Sequence, residues 1–345
     1  MHHRQTAILG RLLVLIAMGL LFVILVAPMS GCSPKADDTG GDAVAADQNG
    51  GDEDVVADDE AIDDEDVDDD GEDIDDDEDE DEDEELEPTA VEEKFTMAIV
   101  RMPSPTLSNG LTTSNLGRPD YSLFLTQHLS YTAVLRSLGL KILKLPSLPE
   151  FPDAHFIEDV AVITPEIAVI ARPGAPERLG EIAHIRDILS DLRPLAAIEE
   201  PGTLDGGDVM RIEHTVYVGI SARTNEEGAK QLAGILAPYG YETHLVPLVE
   251  GLHLKSSVNY IGRNTLLMTE GWASHPLFES FEKIIVPAEE AYAANTLLVK
   301  NRLLTPMGFP EIQALLREAG FDILEIDATE IQKLDGGMSC MSLRF

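Results

Sequence analysis

Five times within residues 94–345 the chain leaves an amphipathic stretch and enters a short apolar strand: LGLKILKLP, RPLAAIEEP, YGYETHLVPL, FEKIIVPAE and AGFDILEIDA. Loops then lead into paired apolar runs that read as hairpins, in VAVITPEIAVIARPG, GDVMRIEHTVYVGIS, VNYIGRNTLLMTEG and TLLVKNRLLTPMG. The fifth hairpin is half missing: SCMSLRF ends at Phe345, and the first strand, FTMAIVRMP, is its expected partner. Strands mixed with helices in a loose repeat cannot each bury their apolar face alone, and stacking the units solves that problem. The expectation is a closed, pseudo-symmetric α/β ring of five units, joined by the two ends of one domain.

If the units surround an axis, the residues just before each hairpin converge on it. These are Glu158 and Asp159 in FIEDV, Asp205 and Asp208 in TLDGGDV, His253 in GLHLKSS, Asn295 in YAANT, and Cys340 in GGMSC. A thiol, an imidazole and several carboxylates in one place make a nucleophile with a base and an orienting acid. A cationic neighbour is expected to lower the thiol pKa, and the histidine could supply that charge. The surplus acids suit a guanidinium, which two carboxylates can grip by bidentate hydrogen bonds. Asp205 and Asp208 also lie among glycines, where turn residues are common. Asp208 and Asn295 are read as structural. The site has its own nucleophile and proton donor, so no metal and no cofactor are expected.

At FIEDVAVI, GTLDGGDV, SARTNEEGA, LHLKSSV, YAAN and DGGMSCMSLRF the chain resembles the dimethylarginine dimethylaminohydrolase family of the guanidine-modifying superfamily. That resemblance spans residues 95–345 and implies a five-bladed α/β-propeller, the pentein fold. It implies a triad of Cys340, His253 and Asp205 that hydrolyses N-methylated L-arginine to L-citrulline and a methylamine. By the same carry-over, Asp159 with Asp205 holds the guanidinium and Glu158 supports that acidic wall. Arg178 and Arg223 match the arginines for the substrate carboxylate, and Asp153 and the carbonyl of Leu111 match the groups around its α-amine. Asp205 stands where some bacterial members carry Glu. A homodimer is compatible with this reading. Two other functions share the pattern: a sister arginine or agmatine deiminase or amidinotransferase, and a non-catalytic binding protein for cationic amino acids.

The N-terminal part has a different character. A basic start, an apolar run from Leu12 to Ala27 and the small residues before Cys32 read as a signal peptide over residues 1–31. PMSGCSPK resembles a bacterial lipobox, with Met29 where Leu is more frequent, and implies lipid attachment at Cys32 and an exported, membrane-anchored protein of the cell envelope. Residues 32–93 follow as an acidic tether. Of the formal net charge of −40, residues 37–93 carry −33 and residues 1–36 carry +3, which leaves −10 on residues 94–345. So acidic a block, nearly free of aromatics, cannot bury enough apolar area to offset its ordering entropy, and disorder is expected. Asp66, Asp68, Asp70, Gly71 and Asp77 have the spacing of a calcium loop, yet no flanking helices can be read, so diffuse cation binding is the expectation. The acidity excludes nucleic acid as a partner. With Cys32 lipidated, Cys340 has no partner for a disulfide.

Overall fold

The computed structural model describes residues 95–345. The expectations for the signal peptide, the tether, the calcium spacing and Cys32 all lie outside them. Five three-stranded sheets make up the described chain. Four are built in the same sequential way: a short antiparallel hairpin, a crossover, and a third strand parallel to the second. They are β3–β4–β5 (Ala161–Ile163, Ala168–Ile170, Leu195–Ala197), β6–β7–β8 (Val209–Ile212, Thr215–Ile220, Glu242–Pro247), β9–β10–β11 (Val258–Tyr260, Thr265–Thr269, Glu282–Val286) and β12–β13–β14 (Leu297–Val299, Arg302–Pro306, Asp322–Ile326).

The remaining sheet joins the two ends. Strand β1 (Met97–Arg101) pairs in parallel with β2 (Lys141–Leu145) and antiparallel with β15 (Leu343–Arg344), in the register Ala98 to Arg344 and Ile99 to Leu343. The backbone N–H groups of Thr96 and Met97 also donate to the carbonyl of Phe345, at 3.0 and 2.8 Å. The half hairpin at SCMSLRF is thus completed by FTMAIVRMP, as the pattern predicts.

Crossovers cover the outer faces, and their sequences explain their form. Helix α1 (Tyr121–Ser137) starts at Asp120, whose side chain accepts from the N–H of Leu123, and buries Phe124, Tyr131 and Leu135. Between β4 and β5 a long helical turn (Pro176–His184) precedes α2 (Arg186–Ser190). Helix α3 (Glu226–Leu236), capped by Asn225 on the N–H of Gly228, buries Ala229, Leu232 and Leu236 along one stripe. Helix α4 (Pro310–Glu318) buries Ile312 and Leu316. The amphipathic stretch expected before FEKIIVPAE forms no α-helix: two short turns, Glu270–Trp272 and Pro276–Phe278, join β10 to β11. Pro276 opens the second turn, and the fully buried Trp272 and Phe278 supply the apolar cover a helix would have given.

The segments just before the hairpins are hydrogen-bonded from unit to unit. Glu158 donates its backbone N–H to the carbonyl of Cys340 (3.1 Å), and Gly207 donates to Asp159 Oδ1 (3.0 Å). Leu254 donates to Asp208 Oδ1 (2.9 Å), Asn295 Nδ2 donates to the carbonyl of Lys255 (2.8 Å), and Ser339 donates to Asn295 Oδ1 (2.9 Å). The series passes through all five units and returns to its start. Convergence of equivalent positions is therefore a property of this backbone.

A buried histidine pair lies beside that centre. His128 of α1 and His155 are 0% and 1% exposed, and the ring of Phe124 packs edge-on against His155 at 4.7 Å. Burial, helped by the charge of Lys144 and opposed by a backbone contact at Arg101, pushes His128 down to about 4; burial and His128 itself hold His155 well below its ordinary value. The unfolded chain therefore takes up these protons first. Their stabilising contribution is complete above pH 6.5 and is lost as the pH falls from there towards about 4; for His128 it is worth about 3 kcal/mol. Thermal melts should show a fall in Tm over this window, and His128→Leu should reduce its slope. Superimposable curves for the two proteins would refute the assignment.

Candidate active site

Asp205 has no exposed surface, and each oxygen has a defined partner. Oδ1 accepts from the N–H of Gly174 at 2.8 Å, and Oδ2 lies 3.0 Å from His253 Nε2. The imidazole is 6% exposed. Burial alone would lower its pKa, but the charge of Asp159, the bond to Asp205 and the charges of Asp208 and Asp205 outweigh it and raise His253 to about 9. At neutral pH the ring is an imidazolium. Gly207 makes this closeness possible: a Cβ there would stand 2.7 Å from His253 Nδ1 and 2.9 Å from Asp159 Oδ1. Asp208 accepts from Leu254 N–H and from Ser221 Oγ (2.7 Å), so it anchors the residue next to His253.

Asp159 and Glu158 form an acidic wall with different partners. Asp159 accepts from Arg178 Nη1 at 2.5 Å and from Gly207; burial opposes ionisation, yet His253 and Arg178 hold its pKa below the usual range. Glu158 Oε1 accepts from Lys255 Nζ at 2.6 Å and Arg344 Nη2 at 2.8 Å, while Oε2 accepts from Ser339 Oγ at 2.7 Å. Those cations overcome its burial and keep it ionised. A buried carboxylate with this many donors is a fixed charge.

Cys340 is a half-buried free thiol. The expectation of a lowered pKa is corrected here: burial first, then the charges of Glu158 and Asp159, push it up to about 12 against weaker help from the Gly337 N–H and Lys255. The same acids that raise His253 raise the thiol, so at rest the pair is a neutral thiol and a charged imidazole. Gly337 admits Asn295 beside this segment, since a Cβ there would lie 2.3 Å from the Asn295 side chain.

The other expected residues fall into two groups. Asp153 is 6% exposed, its Oδ2 accepts from the N–H of Leu111 at 3.0 Å, and its Oδ1 has no partner among the described residues. Burial raises its pKa despite that bond and the nearby arginines. Arg223 lies 3.8 Å from Asp205 with 19% of its side chain exposed. Arg178, 4% exposed, is more enclosed than a residue facing a ligand: it donates to Asp159, to both oxygens of Glu181 and to the carbonyls of Phe156 and Asp153. A 540 Å³ cavity is lined by Thr113, Leu116, Leu252, Ser256, Tyr292 and Asp335, among others.

Sequence reasoning missed Lys255, Ser339, Arg344 and Glu181. Lys255 stands two residues after His253 and Ser339 just before Cys340, so adjacency was their only signal. Asp159, Asp205 and His253 each offer a ligand atom, all within 4.8 Å of one another, and this set could hold a metal ion. Among the described residues no helix is long and apolar enough to cross a membrane.

No protein-family model matches the chain. It is 41% identical over 253 residues to the N(G),N(G)-dimethylarginine dimethylaminohydrolase of Pseudomonas aeruginosa, covering 73% of this chain and 100% of the relative. It is 35% identical over 249 residues to the enzyme of the same name from Streptomyces coelicolor, covering 72% and 96%. A solved structure of the Pseudomonas aeruginosa protein, a cysteine-to-serine mutant complexed with citrulline, superposes with a TM-score of 0.72 at 40% identity over 73% of this chain and 100% of that one. The N-terminal domain of a cyanobacterial arginine dihydrolase shares the fold at 17% identity, with a TM-score of 0.65 over 72% of this chain and 97% of that one. The chain belongs to the dimethylarginine dimethylaminohydrolase family.

Proposed function

We propose that the chain hydrolyses N-methylated L-arginine to L-citrulline and a methylamine, with Cys340 as nucleophile, His253 as proton donor and acceptor, and Asp205 as the acid that orients the imidazole. The observation that carries this reading is geometric: buried Asp205 lies 3.0 Å from His253 Nε2, and the Cys340 carbonyl is bonded at 3.1 Å to Glu158, whose charge and that of Asp159 add to burial in opposing the thiolate. A bound guanidinium cancels the field of Glu158 and Asp159, the thiol releases its proton to solvent, and the nucleophile forms only where a substrate is present to receive it.

The sulfur then bonds to the guanidinium carbon. The carbon–nitrogen bond to the methylated amine breaks as the imidazolium passes its proton to that nitrogen. Neutral His253 next takes a proton from water, whose oxygen attacks the same carbon, and the carbon–sulfur bond breaks as the new hydroxyl gives its proton to the sulfur, leaving the ureido group of citrulline. Asp205 accepts from the Nε2–H throughout, so the proton moves at Nδ1. Burial of Asp205 and His253 supports strong electrostatic coupling during these steps.

The free Oδ1 of Asp153 supports an ammonium site beside the Leu111 carbonyl. Arg223 is the more open of the two arginines and supports a carboxylate site; Arg178 would act there by giving up a bond it makes now. Incubating the full chain with methylated L-arginines, L-arginine and agmatine, and assaying citrulline and released amines, tests the whole reading. Citrulline with a methylamine is expected from the first. Ammonia from L-arginine alone would point to a deiminase, and turnover of agmatine as fast as of the methylated amino acids would remove the carboxylate site.

Export and lipid anchoring at Cys32 complete the proposal, and they rest on the sequence of residues 1–32. Labelled fatty acid should enter the wild-type chain in a bacterial host and fail to enter Cys32→Ala; equal labelling of both would refute the lipobox.

A further inference from the structure

We propose that Tyr292 is a positioning residue for Cys340: when the thiolate forms, the phenolic O–H donates a hydrogen bond to its sulfur. Tyr292 belongs to the helical turn Ala288–Ala294 that leads into Asn295. Asn295 is tied to the segment before the nucleophile by two bonds, from Ser339 N–H to Oδ1 (2.9 Å) and between Nδ2 and Ser339 Oγ (3.2 Å). Tyr292 and Cys340 pack against the same apolar cluster, and Tyr292 also lines the 540 Å³ cavity with Leu252 and Ser256, neighbours of His253 in the chain.

The hydroxyl itself is the unusual feature. It is buried and makes no hydrogen bond among the described residues, although its ring is held at 5.6 Å from that of Phe309. A buried hydroxyl without a partner is costly to leave desolvated, so its persistence calls for an acceptor that exists in another state of the site. A neutral thiol accepts weakly, whereas a thiolate accepts strongly. Burial and then the negative charge of Cys340 raise the phenol pKa, so the group stays protonated and is available only as a donor. The charged groups that bear on the sulfur are Glu158 and Asp159, which oppose the thiolate, and Lys255, which favours it; His253 faces Asp159. Lys255 is already committed to Glu158. Tyr292 packs on the apolar cluster that also holds Cys340, and among the described residues its donor is uncommitted.

This inference rests on the reading of Cys340 as the nucleophile, and its test reads the sulfur directly. The full chain is alkylated with iodoacetamide over a range of pH, with L-arginine bound if it is not turned over, otherwise with L-lysine as the occupying cation. In Tyr292→Phe the rise of the alkylation rate should move to higher pH by about one unit, the tenfold change that one bond to a charged acceptor supplies. The value of kcat should fall about tenfold with KM little changed. Replacing Tyr292 with 3-fluorotyrosine, a stronger donor of nearly the same shape, should move the profile to lower pH, which a merely structural role would not do. Profiles that superimpose for wild type and Tyr292→Phe, or that fail to move with 3-fluorotyrosine if the phenylalanine variant does not fold, would overturn the proposal. A wild-type chain that turns over no methylated arginine yet shows the shifts would refute the function and leave the contact standing.

Discussion

Cys340→Ser is expected to lower turnover of methylated arginine by at least about 10⁴-fold while leaving the fold and the binding of a cation intact. The size follows from the state of the thiol. With its pKa pushed up to about 12 by burial and then by Glu158 and Asp159, the thiol is neutral at pH 7 without ligand, so the site depends on the guanidinium to make the nucleophile. Sulfur responds to that help because its ordinary pKa is about 8.5 and the thiolate is intrinsically reactive. A serine hydroxyl starts many units higher, and cancelling the field of Glu158 and Asp159 cannot bring it into range. The fold is insulated from the change, since residue 340 is held through its backbone: its carbonyl accepts from the N–H of Glu158, and its neighbour Ser339 carries the side-chain bonds to Glu158 and Asn295. Calorimetry should therefore find a methylated arginine binding to the serine variant with an unchanged Tm. A variant within tenfold of the wild-type rate would remove Cys340 from the chemistry.

The sequence made the five hairpins legible because each alternates short apolar runs with turn residues, and because SCMSLRF and FTMAIVRMP each lacked a partner that the other could supply. The placing of Glu158, Asp159, Asp205, His253 and Cys340 just before successive hairpins was legible for the same reason. Their charges were less legible. A histidine next to a cysteine suggests a lowered thiol pKa, but the outcome depends on which carboxylates lie nearer the sulfur and which cations they have already engaged. Lys255 and Arg344 are spent on Glu158, and Arg178 on Asp159 and Glu181. Such pairings join residues far apart in the chain, 186 positions for Glu158 and Arg344, and leave no local pattern. The missing helix between β10 and β11 was hidden differently: WASHPLF has helix-like apolar spacing, and only Pro276 hints that the backbone makes short turns there.

His253→Ala should slow product formation by about 10³-fold and, given a substrate whose leaving group departs without protonation, should leave a covalent adduct on Cys340 that mass spectrometry can read. Attack by sulfur needs only the bound guanidinium and the two acids, and these remain. What is lost is the proton for the departing amine and, afterwards, the base for water. A substrate whose leaving group departs without protonation should still form the adduct and then stall. In the wild type the same role fixes the sign of the pH dependence of kcat. The imidazolium is the competent form, and Asp159, Asp205 and Asp208 hold its pKa at about 9 against burial. Activity on the imidazolium account is thus present below that value and falls as the pH rises through it. Asp205→Asn removes the charge that accepts from Nε2–H and one of the charges that sustain the cation, so it should bring the basic limb of the profile to lower pH. Should the basic limb stay in place in Asp205→Asn, or should His253→Ala retain the wild-type rate with no adduct, the proton would be travelling through some group other than His253.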